Sequence, residues 1–398
     1  MPLFPLWYSA YNNGKMISEF SDFLEELLGA LGIKAEVPQV PSEIDKAREF
    51  LHRLNKLLYQ RDKELGNDYI SRFHSYWERN HEAILGLSID EAQCSKLAEI
   101  LNPVYAQPQN YPQYLTKPPI SREGISDRAV ANVRFFTAIQ DFKINIHKGG
   151  RNPFEQFKEN PEWFSAADLV KNSGLVGDFL QYLEATSSQG DKRRKWMIAA
   201  AEFLIEEFDG DAYNILAACD GDAGMIRDKL ASAGYLGYSY KKADMFLRDM
   251  AEWGVWHYSK NAHLVDVASD SNTMRIALRT AIVRTKIPLL ASYLDVYCYQ
   301  YSAVDTRAAN AWRRVWELWA EIPRNHRPPT PASMDFLLYF SVGKQICRPT
   351  PKCSVCLFNS VCPGETRHLN PPKSISQKGA TGWDSGATNS GGGGGIMS

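Results

Sequence analysis

Apolar residues recur at helical spacing over most of the chain, and no segment shows sustained alternation of period two. SEFSDFLEELLGALGI predicts a helix opening at Ser18 as N-cap, and EIDKAREFLHRLNKLLYQRDKELG (43–66) predicts a long amphipathic helix with one charged face. LNPVYAQPQNYPQYLTKPPIS (101–121) carries five prolines, which remove backbone donors and fix φ, so this stretch predicts a break and a boundary. Helical patterning resumes in SDRAVANVRFFTAIQDFKI and runs on through FSAADLV, DKRRKWMIAAAEFLIEEF and DAGMIRDKLA. The last stretch, SISQKGATGWDSGATNSGGGGGIMS, is of low complexity and predicts a flexible tail. The expected fold class is therefore all-α, with an N-terminal helical region over 1–125, a second unit over 126–364 and a tail over 365–398.

Composition narrows the class. The chain has 398 residues, 44% hydrophobic and 23% charged, which suits a globular protein with a sizeable core. No apolar run is long enough to predict a membrane span, and MPLFPLWYSAYNNGKM lacks the basic-then-apolar order of a signal peptide, so a cytoplasmic location is expected. Net charge is −1, but residues 233–352 hold 16 Lys and Arg against 10 Asp and Glu, a local excess of six that would suit a phosphate backbone. Seven cysteines, four of them clustered, fit a metal centre in a reducing compartment better than a disulfide scaffold. Cys94, Cys219 and Cys298 are scattered and read as buried thiols.

The four clustered cysteines are Cys347, Cys353, Cys356 and Cys362, spaced C-x5-C-x2-C-x5-C. Four thiolates within sixteen residues can close around one centre, either zinc or an iron–sulfur cluster. Lys344, Arg348 and Lys352 flank them and are candidates for phosphate contact, or simply a solvated basic surface.

Upstream, LASAGYLGYSYKKADMFLRDM (230–250) predicts two helices joined by a glycine-containing turn. Such a turn presents backbone N–H groups at a helix N-terminus, where an anion is favoured. Gly237, Ser239, Lys241 and Lys242 lie at this turn. Farther on, Asp270 begins D-S-N-T-M-R-I-A-L-R, reading either as a plain N-cap or as a carboxylate presented at a helix start, with Arg275 and Arg279 following at helical spacing. Asp266 and Asp305 are alternatives to Asp270 for the same role.

Hairpin, helix-start aspartate and four-cysteine loop, in that order, resemble the HhH-GPD superfamily of DNA glycosylases, of the endonuclease III-like iron–sulfur type. The resemblance covers roughly residues 130–364. This chain departs from the family pattern at Leu236 (proline in the family), at Ser239 (glycine in the family) and in a first cysteine gap one residue shorter. The resemblance implies a two-lobed helical fold, a [4Fe–4S] cluster with zinc as the alternative, double-stranded DNA as partner and a monomeric enzyme. It implies a base flipped from the duplex and hydrolysis of its glycosidic bond. Asp270 would stabilise the cationic sugar, and Lys241 would be the Schiff-base nucleophile of a glycosylase/lyase or a phosphate contact. Gly237, Ser239 and Lys242 would contact DNA, and Gln140 stands near the position of a wedge, or faces solvent. The chain's length suggests a divergent member acting on bulky modified cytosines of phage DNA, in antiviral defence; housekeeping repair of oxidised or mismatched bases is the alternative. Two other readings are a non-catalytic DNA-binding protein on this fold and an unrelated zinc protein.

Overall fold

Asp90 opens the first helix described: its carboxylate accepts the Gln93 N–H at 3.0 Å, and Glu91 occupies the first turn, where the helix dipole favours negative charge. This helix, α1 (Glu91–Ala106), buries Cys94, Leu97, Ala98, Leu101 and Val104 as one stripe. The computed structural model describes residues 86–118, 120–141, 152–185, 189–285, 302–348 and 350–363. The helices expected before residue 86, Cys298 and the expected tail lie outside the described residues.

The proline-rich stretch does not end α1 where its composition predicts. The helix runs through Pro103 to Ala106, and the Gln107 N–H closes it on the Pro103 carbonyl at 3.0 Å. A proline near a helix end costs one hydrogen bond, and full burial of Leu101 and Val104 on either side offsets that loss.

Helices follow at α2 (Asp127–Gln140), α3 (Pro153–Glu159), α4 (Ala166–Lys171), α5 (Gly174–Tyr182), α6 (Gly190–Phe208), α7 (Ala223–Ser232), α8 (Tyr240–Glu252), α9 (Ser271–Arg279) and α10 (Ser302–Trp319), then a π-helical segment, Phe336–Ile346. Among the described residues the only sheet is one antiparallel pair, Ser88–Ile89 with Val283–Arg284. No described helix is long and apolar enough to cross a membrane.

Two hydrophobic cores organise these elements. One is built from chain-contiguous residues, Val130 to Val265, with Ala332 added. The other joins α1 and Tyr114 to α9, α10, the π-helical segment and the cysteine loop. The boundary expected at residue 125 therefore does not separate the two cores, because α1 packs along α10 and belongs with the C-terminal elements.

Buried ion pairs join the two halves. Arg134 on α2 donates to Asp249 at 2.6 Å; Arg248 donates to Asp249 at 2.8 Å and to Asp335, just before the π-helical segment, at 2.8 Å. All four side chains are buried, so breaking one pair would strand a charge in a low-dielectric setting.

Candidate active site and cysteine loop

The predicted glycine-containing turn between two helices is present. After α7 the chain makes a 3-10 turn, Gly234–Leu236, passes through Gly237 at φ +74°, and re-enters a helix at Ser239, whose hydroxyl accepts the Lys242 N–H. A Cβ on Gly237 would lie 2.6 Å from the Trp196 ring, so glycine is required there by both backbone conformation and space. Leu236 is fully buried and anchors the turn in the first core. The Tyr238 hydroxyl donates to the Phe135 carbonyl at 2.8 Å, tying the turn to α2.

Neighbouring lysines take opposite courses. Lys242, expected at a DNA phosphate, turns inward: Nζ donates to the Ile139 carbonyl at 2.7 Å and the Gly237 carbonyl at 2.8 Å, and lies 4.9 Å from the Trp196 ring centre. Burial, aided by Arg193, lowers its ammonium to about 8. Its role is to brace the hairpin against α2. Lys241 is exposed, and its Nζ donates to the Ser269 carbonyl at 3.3 Å.

Ser269 immediately precedes Asp270, so the hairpin lysine lies beside the start of α9. Asp270 is the N-cap: one carboxylate oxygen accepts the Asn272 N–H at 2.8 Å and the Thr273 N–H at 2.9 Å, while the Thr273 hydroxyl accepts the Asp270 N–H at 2.9 Å. This reciprocal capping box holds the side chain in one orientation. Gly343 of the π-helical segment fits tightly here; a Cβ on it would lie 2.7 Å from Asn272 Cβ.

The two alternative aspartates differ in setting. Asp266 is clamped by Arg313, at 2.9 and 2.6 Å, and reached by Arg227 at 3.4 Å. That is the setting of a structural ion pair. Asp305, in the first turn of α10, lies near Lys241 and Asp270, and the Ser269 hydroxyl donates to its backbone carbonyl at 2.9 Å. Burial pushes the Asp305 carboxyl up; Ser269 and Lys241 oppose that, and Asp270 adds to it.

A third carboxyl, Asp335, was not among the sequence candidates. Its Oδ2 meets Arg248, while its Oδ1 is buried and has no hydrogen-bond partner. Burial, opposed by Arg248, pushes this carboxyl up to about 7; Asp270 raises it further and Lys241 lowers it. Asp249 has the reverse fate: burial would push it up, but Arg248 and Arg134 together hold it below the usual carboxylate range. No local signal marks Asp335, because its partner Arg248 is 87 residues away.

The arginines that follow Asp270 reach the cysteine loop rather than the surface. Arg275 Nε donates to the Cys347 carbonyl at 2.8 Å. Arg279 Nη1 donates to the Arg348 carbonyl at 2.6 Å and lies 3.6 Å from Cys347 Sγ. Both guanidinium groups are buried.

Cys347, Cys353, Cys356 and Cys362 line one hollow, together with Arg279, Ile346, Pro351 and Asn359. Burial pushes the Cys356 thiol up to about 12, and the neighbouring Cys347 and Cys353 add to that. A cationic metal centre would reverse this by binding the thiolates. Four sulfur donors around one hollow, with a guanidinium beside the first, fit a metal centre by donor chemistry. Among the described residues, no three His, Cys, Asp or Glu side chains converge as they would around a single ion.

Lys344, Arg348 and Lys352 are exposed around this loop, with Lys344 Nζ 4.1 Å from the Tyr339 ring centre. Gln140 neither projects as a wedge nor faces solvent: it is fully buried, with Arg193 Nη1 donating to its side-chain oxygen at 3.2 Å and its backbone carbonyl at 2.8 Å. Cys94 and Cys219 are buried thiols, as expected of the scattered cysteines.

No protein-family model matches this chain, and no curated protein matches it.

Proposed function

We propose that this chain is a DNA N-glycosylase of the HhH-GPD type, flipping a damaged or modified base from double-stranded DNA and cleaving its glycosidic bond. The observation that carries this reading is the contact between Lys241 and Ser269, which sets the hairpin lysine beside Asp270 although 28 residues separate the two partners. A hairpin that can hold a backbone phosphate, a carboxylate fixed at a helix start and an exposed amine beside it are the parts such a reaction uses.

In this reading the hairpin around Gly237 and Ser239 holds the DNA backbone, and Lys344, Arg348 and Lys352 extend the contact. As the base leaves, positive charge develops on the sugar, and the Asp270 carboxylate, held still by its capping box, stabilises it. Lys241 provides the amine for a lyase step, or neutralises a phosphate if the enzyme only hydrolyses. Cys347, Cys353, Cys356 and Cys362 would hold the iron–sulfur cluster. When bound, the cluster supplies metal–thiolate bonds that fix the loop, to which Arg275 and Arg279 tie the Asp270 helix.

The test is mass spectrometry of free bases released from duplexes bearing uracil, oxidised purine, alkylated bases or hypermodified cytosine, with wild type and Asp270→Asn. Release by wild type and its loss in the variant supports the reading and names the substrate. Binding without release from any of these duplexes favours a non-catalytic DNA-binding protein.

A further inference from the structure

Helix α6 opens with a run of cations, Lys192, Arg193, Arg194 and Lys195, against a single acid, Asp191. Helix geometry sends their side chains different ways. Arg193 turns inward to Gln140, and Arg194 lies over α5, with its guanidinium nitrogens 3.4 Å from where a Cβ on Gly177 would stand. Lys192 and Lys195, three positions apart, are exposed on one face of the helix with Trp196 beside them. The next charged residues of α6 are Glu202, Glu206 and Glu207, so the basic stretch is confined to the start of the helix.

Trp196 joins this face to the hairpin. Its ring is what a Cβ on Gly237 would strike, at 2.6 Å. Lys192 Nζ lies 5.0 Å from the ring centre and Lys242 Nζ 4.9 Å, so one half-buried indole carries an exposed and a buried ammonium group. Lys242 is committed to the carbonyls of Ile139 and Gly237. Among the described residues, no ion pair engages Lys192 or Lys195. Like charges gathered without a counter-ion repel one another, and an arriving anion relieves that cost.

We propose that the Lys192–Lys195 face of α6 binds the sugar-phosphate backbone of duplex DNA, continuing the contact made by the hairpin at Gly237 and Ser239. The proposal rests on DNA being the hairpin's partner, as in the glycosylase reading, and is independent of the chemistry. Each strand of a duplex carries one phosphate about every 3.4 Å along its axis, so a surface that reaches from the hairpin across the Trp196 ring meets more than one. Trp196 is the spacer: packed on Gly237, it fixes α6 against the turn and holds the lysines in register with the hairpin N–H groups. Lysine ammonium groups on long stems suit contacts to the backbone, which position a protein without reading bases.

The test measures the affinity of the full-length protein for duplex DNA by fluorescence anisotropy over a series of salt concentrations. Loss of one phosphate contact makes the slope of log K against log salt shallower by about 0.9. Lys192→Ala and Lys195→Ala should each show that change. Lys192→Arg should keep the wild-type slope, and so should Arg194→Ala, whose side chain lies over α5. Release of free base is followed alongside.

The proposal is overturned if both alanine variants keep the wild-type slope. It is equally overturned if Arg194→Ala flattens the slope as much as they do, since that would mark overall charge rather than a contact. A change confined to single-stranded DNA and absent from the duplex also overturns it. Should Lys192→Ala fail to fold, Lys195→Ala, whose side chain is exposed, decides alone. Flattened slopes with no base release by wild type from any duplex sink the glycosylase chemistry and leave the surface standing; base release with unchanged slopes does the reverse.

Discussion

Arg275 Nε donates to the Cys347 carbonyl at 2.8 Å, so the helix that begins at Asp270 is bonded to the first cysteine of the loop. Order in the loop and order at Asp270 are thereby linked. Cys356→Ser is expected to lower bound iron, read by visible absorbance and iron analysis. It should also reduce base release with Asp270 itself intact. Unchanged iron content in this variant would remove Cys356 from the proposed ligand set.

Arg275→Ala tests the same link from the other side. Removing the guanidinium leaves the Cys347 carbonyl unpaired in a buried place, a loss of about 1–3 kcal/mol on general grounds. Urea unfolding should register this as a lower midpoint, and a variant as stable as wild type would mean the bond contributes nothing net.

Gly237→Ala should be more damaging than most exposed-turn substitutions. The position has φ +74°, and its new Cβ would lie 2.6 Å from the Trp196 ring. Strain and displacement of the ring together should cost about 1–3 kcal/mol and weaken DNA binding, measured by thermal unfolding and by fluorescence anisotropy with duplex DNA.

Lys242 offers a pH test of the brace it forms. Its ammonium is lowered to about 8 in the fold, against an ordinary lysine value of 10.5. Between those values the unfolded chain binds more protons than the native state, so this group makes stability rise with pH across about 8 to 10.5. Lys242→Met should abolish that rise while leaving the salt dependence of DNA binding unchanged. A shallower salt dependence would instead return Lys242 to the phosphate-binding role.

Asp270→Asn and Asp266→Asn should separate catalysis from structure. Asparagine is a good N-cap, so the first change should cost less than about 1 kcal/mol of stability while removing the charge proposed to act on the sugar. The second strips a carboxylate from Arg313 and Arg227, which should cost up to about 3 kcal/mol. Asp266→Asn with native stability and no base release would move the catalytic assignment to Asp266.

The sequence by itself determined the helical class, since a period of 3.6 is written in local spacing, and it grouped the four cysteines that line one hollow, since thiols within one short loop need no distant partner to meet. It also located the hairpin, because Gly237 satisfies a local backbone demand and Ser239 a local cap. Only the tertiary structure decided what depends on distant neighbours. The proline-rich stretch 101–121 read as a break, yet α1 runs through Pro103 because α10 and the rest of the core give Leu101 and Val104 something to bury against. Lys241 and Lys242 are equivalent as letters, and helix rotation sends one to the Ser269 carbonyl and the other into the first core. Asp335 is an unremarked acid before an apolar run; burial in the fold pushes its carboxyl up, and Arg248, far away along the chain and bonded to it in the fold, opposes that. Burial and shared counter-ions are properties of the assembled molecule, so local spacing cannot carry them.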